Sequence, residues 1–386
     1  MSKRRAPKRR ARKPRQHTVA KVITSSALGL ALATGVGVTS VYNHLSGNLD
    51  VLDVSDQLSD RPDKVEVSGP MEPLNILIMG SDSRDGEGND IDGLTGGGQR
   101  SDTTMILHVS ADRERAFGVS LPRDAIIDRP ECTTEDGEEI PAESGVMFNT
   151  AYAYGGPGCT QQTVEQLTGI RIDHIVDVDF AGFEAMVDAI DGVEVCIPTT
   201  VDDPAHDIYL EAGTRELEGR EALAYVRERY QLSANSDIGR MKRQQAFVAS
   251  MANKLVSADT LSRPDRLVSF LNAATKSLTL DPELDSVGKL SELGLQFRNT
   301  GLNKIRFMTV PIAPYEPDPN RLVWTSEADQ LWDKIINDEP IGADLSEGVI
   351  TAAKPQGGST GDGSGKKGGA TSDEEAAELA ANGLCT

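Results

Sequence analysis

Several kinds of chemistry are missing from this 386-residue sequence. Histidine is scarce and scattered, five in all, and none sits beside an obvious nucleophile. No Gly-x-Ser-x-Gly element appears, which disfavours a hydrolase triad. The glycine-rich stretch Gly155-Gly156-Pro157-Gly158-Cys159 precedes a helical pattern, as an anion cradle does. It lacks the Gly-Lys-Ser/Thr ending of a P-loop, so a plain turn is the simpler reading. The four cysteines do not have zinc-ligand spacing, and there is no internal repeat. Most of the chain also lacks an excess of positive charge. Ten of the 39 Lys and Arg fall in residues 1–21, which hold no acid. The remainder carries 29 basic against 60 acidic side chains, a net −31. A body so acidic argues against nucleic-acid binding.

The basic block takes another meaning from the residues after it. Residues 22–42 form an uncharged run of about 20 residues, near the span of a bilayer core. With basic sequence before it and acidic sequence after it, the N-terminus is expected in the cytoplasm and the rest outside. The run is long for a cleaved signal peptide, and Thr39-Ser40-Val41 is a poor cleavage site. The expectation is a single-pass membrane anchor, with residues 43–73 as a polar extracytoplasmic stalk.

The chain is organised around residues 74–124. Residues 74–79, 103–109 and 116–121 are short apolar runs bounded by Gly, Ser, Asp or Pro, the pattern of buried strands. Asp82 and Arg84 come after the first, Arg100 and Asp102 precede the second, and Arg123 and Asp124 come after the third. If the outer two strands are parallel and the middle one antiparallel, all six groups meet at one sheet edge. Carboxylates there suit a hard cation, and guanidinium forks suit phosphoryl oxygens. Salt bridges between strand ends are the rival reading. The Gly-rich acidic loop at 85–99 is too long for a tight turn and is expected to be disordered without substrate.

Further along, residues 160–167 read as a helix with Thr160 as N-cap, 174–180 as a strand, 182–190 as a helix and 193–197 as a strand. Strands alternating with helices give an α/β sandwich. Cys132 and Cys159 are the first pairing to consider for a disulfide, with Cys196 as the alternative partner and Cys385 unpaired. A helix over 218–227 leads to Arg227 and Arg229. Asp237 then caps a long helix whose inward stripe, Arg240, Gln244, Phe247, Val248, Met251 and Leu255, begins with polar residues where apolar ones belong. Arg243 lies at the edge of that stripe. A buried guanidinium needs a counter-charge, either an internal Asp or an anionic ligand, and the nearby Asp/Arg strand edge favours the ligand.

These stretches carry a resemblance. GSDSR (80–84), RSDTTMI (100–106), LPRD (121–124), FNTAYAYGG (148–156), DHIVDVDFAGF (173–183), VDAIDGVEV (187–195), ALAYVRER (222–229) and DIGRMKRQQ (237–245) stand in an order that resembles the LytR–CpsA–Psr family, in an actinobacterial form. The resemblance covers roughly residues 74–255 and departs in the long loop after GSDSR. It implies a three-layer α/β/α sandwich with a mixed central β-sheet, preceded by one transmembrane helix, and a hydrophobic pocket for a polyprenyl tail. It implies transfer of a glycopolymer from a polyprenyl-pyrophosphate carrier to peptidoglycan through a phosphodiester. Arg100, Arg123, Arg227, Arg229, Arg240 and Gln244 would hold the pyrophosphate, with Arg84 and Arg243 as weaker members. Asp82 and Asp102 would hold Mg2+, with Mn2+ as a substitute. Asp102 or Asp124 is the candidate base, beside Arg123 and Arg227 as catalytic residues.

Two other readings use the same residues: a pyrophosphatase acting on the same lipid, and a non-catalytic lipid-carrier-binding regulator. The catalytic domain is expected over 74–345. Residues 262–295 read as helices, 304–310 as a last strand, 326–336 as a helix, and 346–386 as a disordered tail.

Overall fold

The computed structural model describes residues 35–37, 39–81, 101–204, 208–229, 231–233, 236–256, 263–297, 300–342, 345, 348–353, 355 and 379–385. The chain divides into two compact units, 1–47 and 48–386. In the first, residues 35–37 and 39–46 are helical. Among the described residues no helix is long and apolar enough to cross a membrane. Residues 22–34 of the expected anchor lie outside them, as does the loop at 85–99.

The second unit runs through β1 (Asp50–Val51), β2 (Leu74–Ser81), β3 (Ser101–Val109), β4 (Ala116–Leu121), β5 (Ile126–Arg129), β6 (Cys132–Thr133), β7 (Glu139–Ile140), β8 (Glu143–Met147) and α1 (Thr150–Thr168). It continues with β9 (His174–Asp179), α2 (Phe180–Ala189), β10 (Val193–Ile197), β11 (Val201–Asp203), β12 (Ile208–Leu210), β13 (Gly213–Leu217), α3 (Gly219–Arg227), α4 (Ser236–Val256) and α5 (Pro264–Ser277). It ends with β14 (Leu278–Leu280), α6 (Val287–Gln296), β15 (Ile305–Thr309), β16 (Ile312–Tyr315), β17 (Asp318–Trp324), α7 (Ser326–Ile336) and β18 (Ile350–Thr351).

Eight strands form one mixed sheet in the order β1-β14-β9-β2-β3-β4-β15-β18. Successive side chains of a strand point to opposite faces, and both faces are covered. Leu77, Met79, Ile106 and Val119 pack with Tyr152 and Val164 of α1 and with Leu331, Trp332 and Ile335 of α7. On the other face Ile78, Met105 and Phe307 meet Ala246 and Ala249 of α4, while Val178 meets α2 and α5. The architecture is therefore a three-layer α/β/α sandwich. Gly118 makes room for this packing: a Cβ there would lie 2.6 Å from Phe307 Cδ1 and 2.9 Å from Met105 Sδ. A third cluster joins α2, α3 and α4 to the antiparallel pair β10–β13.

β2 and β4 both run antiparallel to β3, so the end of β2, the start of β3 and the end of β4 lie at one edge. The conditional arrangement drawn from the sequence is the one present.

Four features differ from the expectations. Residues 48–73 are docked along the domain: β1 pairs with β14, Val54 is buried, and Arg61 bonds Glu165 at 2.5 Å. The glycine pair at 155–156 is a kink inside one helical segment, with Gly156 at φ 61° and Pro157 opening the second run. β15 is not the last strand, since β18 pairs with it from further along the chain. The C-terminus is tied down: Leu384 is 1% exposed, and Cys385 is bonded to Cys196. Cys385 had looked unpaired because it comes after a Gly/Ser-rich run. A second bridge joins Cys132 to Cys159.

Candidate active site

Pro122 begins a tight turn in which the Ala125 amide donates to the Pro122 carbonyl at 3.1 Å, lifting Arg123 and Asp124 off the end of β4. The Phe148 and Asn149 amides donate to the Ala125 and Arg123 carbonyls at 2.8 and 3.0 Å. The FNTA stretch thus braces the LPRD turn. α4 is fixed by Gln245, whose Nε2 donates to Ser120 Oγ at 2.9 Å and Thr309 Oγ1 at 3.0 Å, and by Gln244 Nε2, which donates to the Val226 carbonyl at 3.2 Å.

These elements converge on Asp102. Arg123 Nη1 donates to its Oδ1 at 2.5 Å, and Arg229 Nη2 reaches both oxygens at 3.3 and 3.4 Å. Arg123 Nε also lies 3.5 Å from Asp124 and 3.8 Å from Asp237. Arg240 pairs with Asp237 at 3.2 Å across one helical turn, and Arg321 of β17 pairs with Asp124 at 3.2 Å. Arg227, at the end of α3, lies over the Phe180 ring at 4.7 Å, a cation–π distance.

Burial pushes the Asp102 carboxyl up, but Arg123, Arg240 and Arg229 outweigh it and hold its pKa below the usual range. Asp124 is raised to about 6, first by burial and then by the hydrogen bond it shares with Asp237. Asp237 goes the other way: burial raises it, while Asp124, Arg240 and Arg123 more than offset that. Arg240 is lowered to about 10 by burial and by repulsion from Arg229, and stays charged at neutral pH. It is 2% exposed, and its Nε and Nη1 have no hydrogen-bond partner among the described residues. A guanidinium held this way, beside two more, is prepared to donate to an anion.

Of the site residues expected from sequence, the structure brings together Asp102, Arg123, Asp124, Arg229 and Arg240. Gln244 supports Arg240's helix. Arg243 is fully buried and does not share the partners of this cluster: its Nη2 donates to the Glu228 carbonyl and lies 3.7 Å from Glu228 Oε2. Asp82, Arg84 and Arg100 lie outside the described residues. Sequence reasoning missed Arg321, which stands with Glu316 and Asp318 on the β16–β17 hairpin far along the chain from the other site residues, and gave Asp237 only a capping role.

Beneath the edge lies a second acid. Asp177 is buried in β9 and accepts from the Tyr152 hydroxyl at 2.6 Å. Burial, partly offset by Tyr152 and Ser81, raises it to about 6. A raised carboxyl contributes stability below its unfolded pKa near 4 and loses it as pH rises through the folded value. Asp177→Asn is therefore expected to melt higher than wild type at pH 7.5. The gain corresponds to about 2–3 kcal/mol, shrinking to nothing near pH 4. Parallel melting curves across that range check it; a gap independent of pH would contradict it.

At the opposite strand ends His174, Asp281 and Glu283 come together, but Asp281 is already engaged by His174, the Ile175 amide and the Glu283 amide. That group is explained as a cap holding β9 to β14.

An Asp/Arg edge offers guanidinium forks and carboxylates of the kind that suit phosphoryl oxygens and a hard cation. The chain belongs to the LytR_cpsA_psr family, matched over residues 41–335. It is 35% identical over 246 residues to the probable cell wall biosynthesis protein LcpB of Corynebacterium glutamicum, covering 62% of this chain and 55% of that protein. It is 30% identical to the polyisoprenyl-teichoic acid–peptidoglycan teichoic acid transferase TagU of Halalkalibacterium halodurans, over 74% of this chain and 92% of that one. The chain spans about half the length of the LcpB and LcpA relatives, 55% and 50%. Its fold is that of a LytR-Csp2A-Psr enzyme from Actinomyces oris, with a TM-score of 0.54 at 22% identity over 75% of this chain and 96% of that one.

Proposed function

We propose that this chain is an extracytoplasmic phosphotransferase that attaches a cell-wall glycopolymer, carried on a polyprenyl pyrophosphate, to peptidoglycan through a phosphodiester. The observation that carries the reading is Asp102 crossed by Arg123 and Arg229, close to the two donor groups of buried Arg240 that have no partner among the described residues. Phosphoryl transfer asks for positioning and charge neutralisation more than covalent help. In this reading Arg123, Arg229 and Arg240 grip the diphosphate. They neutralise charge on the transferring phosphoryl oxygens and on the departing polyprenyl phosphate. Arg227, Arg100 and Arg84 extend the grip. Asp124, raised to about 6 and so ionised at neutral pH, would accept the proton of a sugar hydroxyl.

Asp102 fits a divalent cation. Its carboxylate is ionised, and its two oxygens accept three guanidinium contacts, leaving lone-pair capacity. With Asp82 it would hold Mg2+ or Mn2+, which supplies Lewis-acid polarisation of phosphoryl oxygens. The basic residues 1–21 and the uncharged run at 22–42 support a single-pass anchor with a cytoplasmic N-terminus, which keeps the site near a membrane-borne donor.

The test uses the full chain in detergent with Mg2+, a short polyprenyl-pyrophosphoryl glycan and a peptidoglycan oligomer, with products read by mass spectrometry. A glycan joined to the oligomer through phosphate is expected. Released phosphoglycan without a joined product would make the chain a pyrophosphatase. Binding with neither product would make it a non-catalytic carrier-binding protein.

A further inference from the structure

Residues 379–385 are far along the chain from the arginine cluster, yet they are built against its supports. They form a compact turn, with the Gly383 amide donating to the Ala380 carbonyl at 3.1 Å and the Leu384 amide to the Leu379 carbonyl at 2.9 Å. Leu384 is inserted beside Met105, Ala246, Ala249 and Phe307. Gly383 has φ +72°, and a Cβ there would lie 2.2 Å from the Leu232 carbonyl oxygen and 2.9 Å from Arg243 Nη1. The Asn382 carbonyl oxygen lies 3.2 Å from where a Cβ on Gly239 would stand. The turn is thus wedged between the first turns of α4 and the loop after α3.

Arg227 is the last residue of α3, and that loop after it carries Arg229. Its geometry is set by Glu228, which is 2% exposed and accepts from the Gln231 amide at 2.7 Å and the Leu232 amide at 3.0 Å. Arg243 closes the arrangement by donating to the Glu228 carbonyl. Glu228 stands between Arg227 and Arg229 in sequence, so whatever fixes Glu228 fixes the departure of both guanidiniums from the backbone. Contacts therefore run without a gap from Gly383 to Leu232 and Arg243, and from these to Glu228.

We infer that the C-terminal turn around Gly383 is a positioning element for Arg227 and Arg229: by closing on Leu232 and Arg243 it holds the Glu228 turn in the shape that aims both guanidiniums. This rests on the diphosphate reading above. Gly383 acts through other residues and touches no substrate. The size of the effect is set by how steeply an oriented site loses rate, with a displacement of about 1 Å costing on the order of a hundred-fold.

The experiment uses the full chain in detergent with Mg2+, farnesyl pyrophosphate as the probe, and calorimetry for binding. Wild type, Gly383→Ala and Gly383→Val are compared, each with both disulfides verified by mass spectrometry and each assayed well below its melting temperature. Binding is expected to weaken several-fold in Gly383→Ala and about ten-fold or more in Gly383→Val, graded with side-chain size. Glu228→Gln, which keeps the shape of the turn and weakens its charge pair with Arg243, is expected to weaken binding in the same direction, and serves if the glycine variants do not fold. A purely structural role would lower the melting temperature and leave the affinity alone. Folded variants that bind like wild type would overturn the inference and leave the proposed function standing. Wild type that does not bind the probe would overturn both.

Discussion

Arg123→Ala is expected, on the proposed phosphotransferase function, to lower the rate of glycan transfer about a thousand-fold, the range seen when a positioned charge donor is removed from a phosphoryl-transfer site. The reason is its location. One guanidinium contacts Asp102 at 2.5 Å, Asp124 at 3.5 Å and Asp237 at 3.8 Å. Without it the three carboxylates keep Arg229, Arg240 and Arg321 but lose the side chain that reaches all of them. Asp102 loses its shortest partner, and its pKa climbs toward the value burial alone would give. Arg123→Lys is expected to recover little, because an ammonium cannot present a planar fork to several acceptors. Steady-state transfer rates alongside melting curves check this. A folded Arg123→Ala protein within ten-fold of wild type would remove Arg123 from the mechanism.

Cys385→Ser is the second large effect, and it acts on stability. The Cys196–Cys385 bridge spans a sequence separation of 189. On the chain-entropy account a loop that long constrains the unfolded state by about 5 kcal/mol, against about 3–4 for the separation of 27 closed by Cys132–Cys159. The expected fall in melting temperature is roughly 10 °C or more. Cys196→Ser should match it, and the double variant should add almost nothing, since both remove one bond. Differential scanning calorimetry on oxidised protein decides it. An unchanged melting temperature in either single variant would mean that the bridge constrains nothing.

Much of the architecture could be read from residue patterns because the patterns are local. Residues 74–79, 103–109 and 116–121 are apolar runs between polar breaks, and they became β2, β3 and β4 with their polar ends at one edge. Arg240 stood out as a charge on an apolar stripe, and it is buried. What escaped depends on tertiary contact. Asp177 alternates with apolar neighbours as a solvent-facing residue does, but this sheet is covered on both faces, so it is buried against Tyr152. Arg321 reaches Asp124 because Trp324 packs edge-on against Trp332 at 5.5 Å and Leu322 bridges Ala125, anchoring a hairpin nearly 200 residues from β4. Nothing in the neighbourhood of Arg321 in the sequence signals that contact. Cys385 comes after a polar low-complexity run, which conceals the ordered turn before it.

The same bridge has a consequence for the order of events during synthesis. Cys132 and Cys159 are made close together, and their bond can close while the ribosome is still at work. Cys196 has to wait much longer, because its partner comes 189 residues later in the sequence. Throughout that interval it is a thiol without its partner, while the other pair is already complete. Four cysteines allow three pairings, so the native one depends on the first bond forming early and staying out of exchange. Cys132 and Cys159 are 3% and 1% exposed, which shields that first bond from a waiting thiolate.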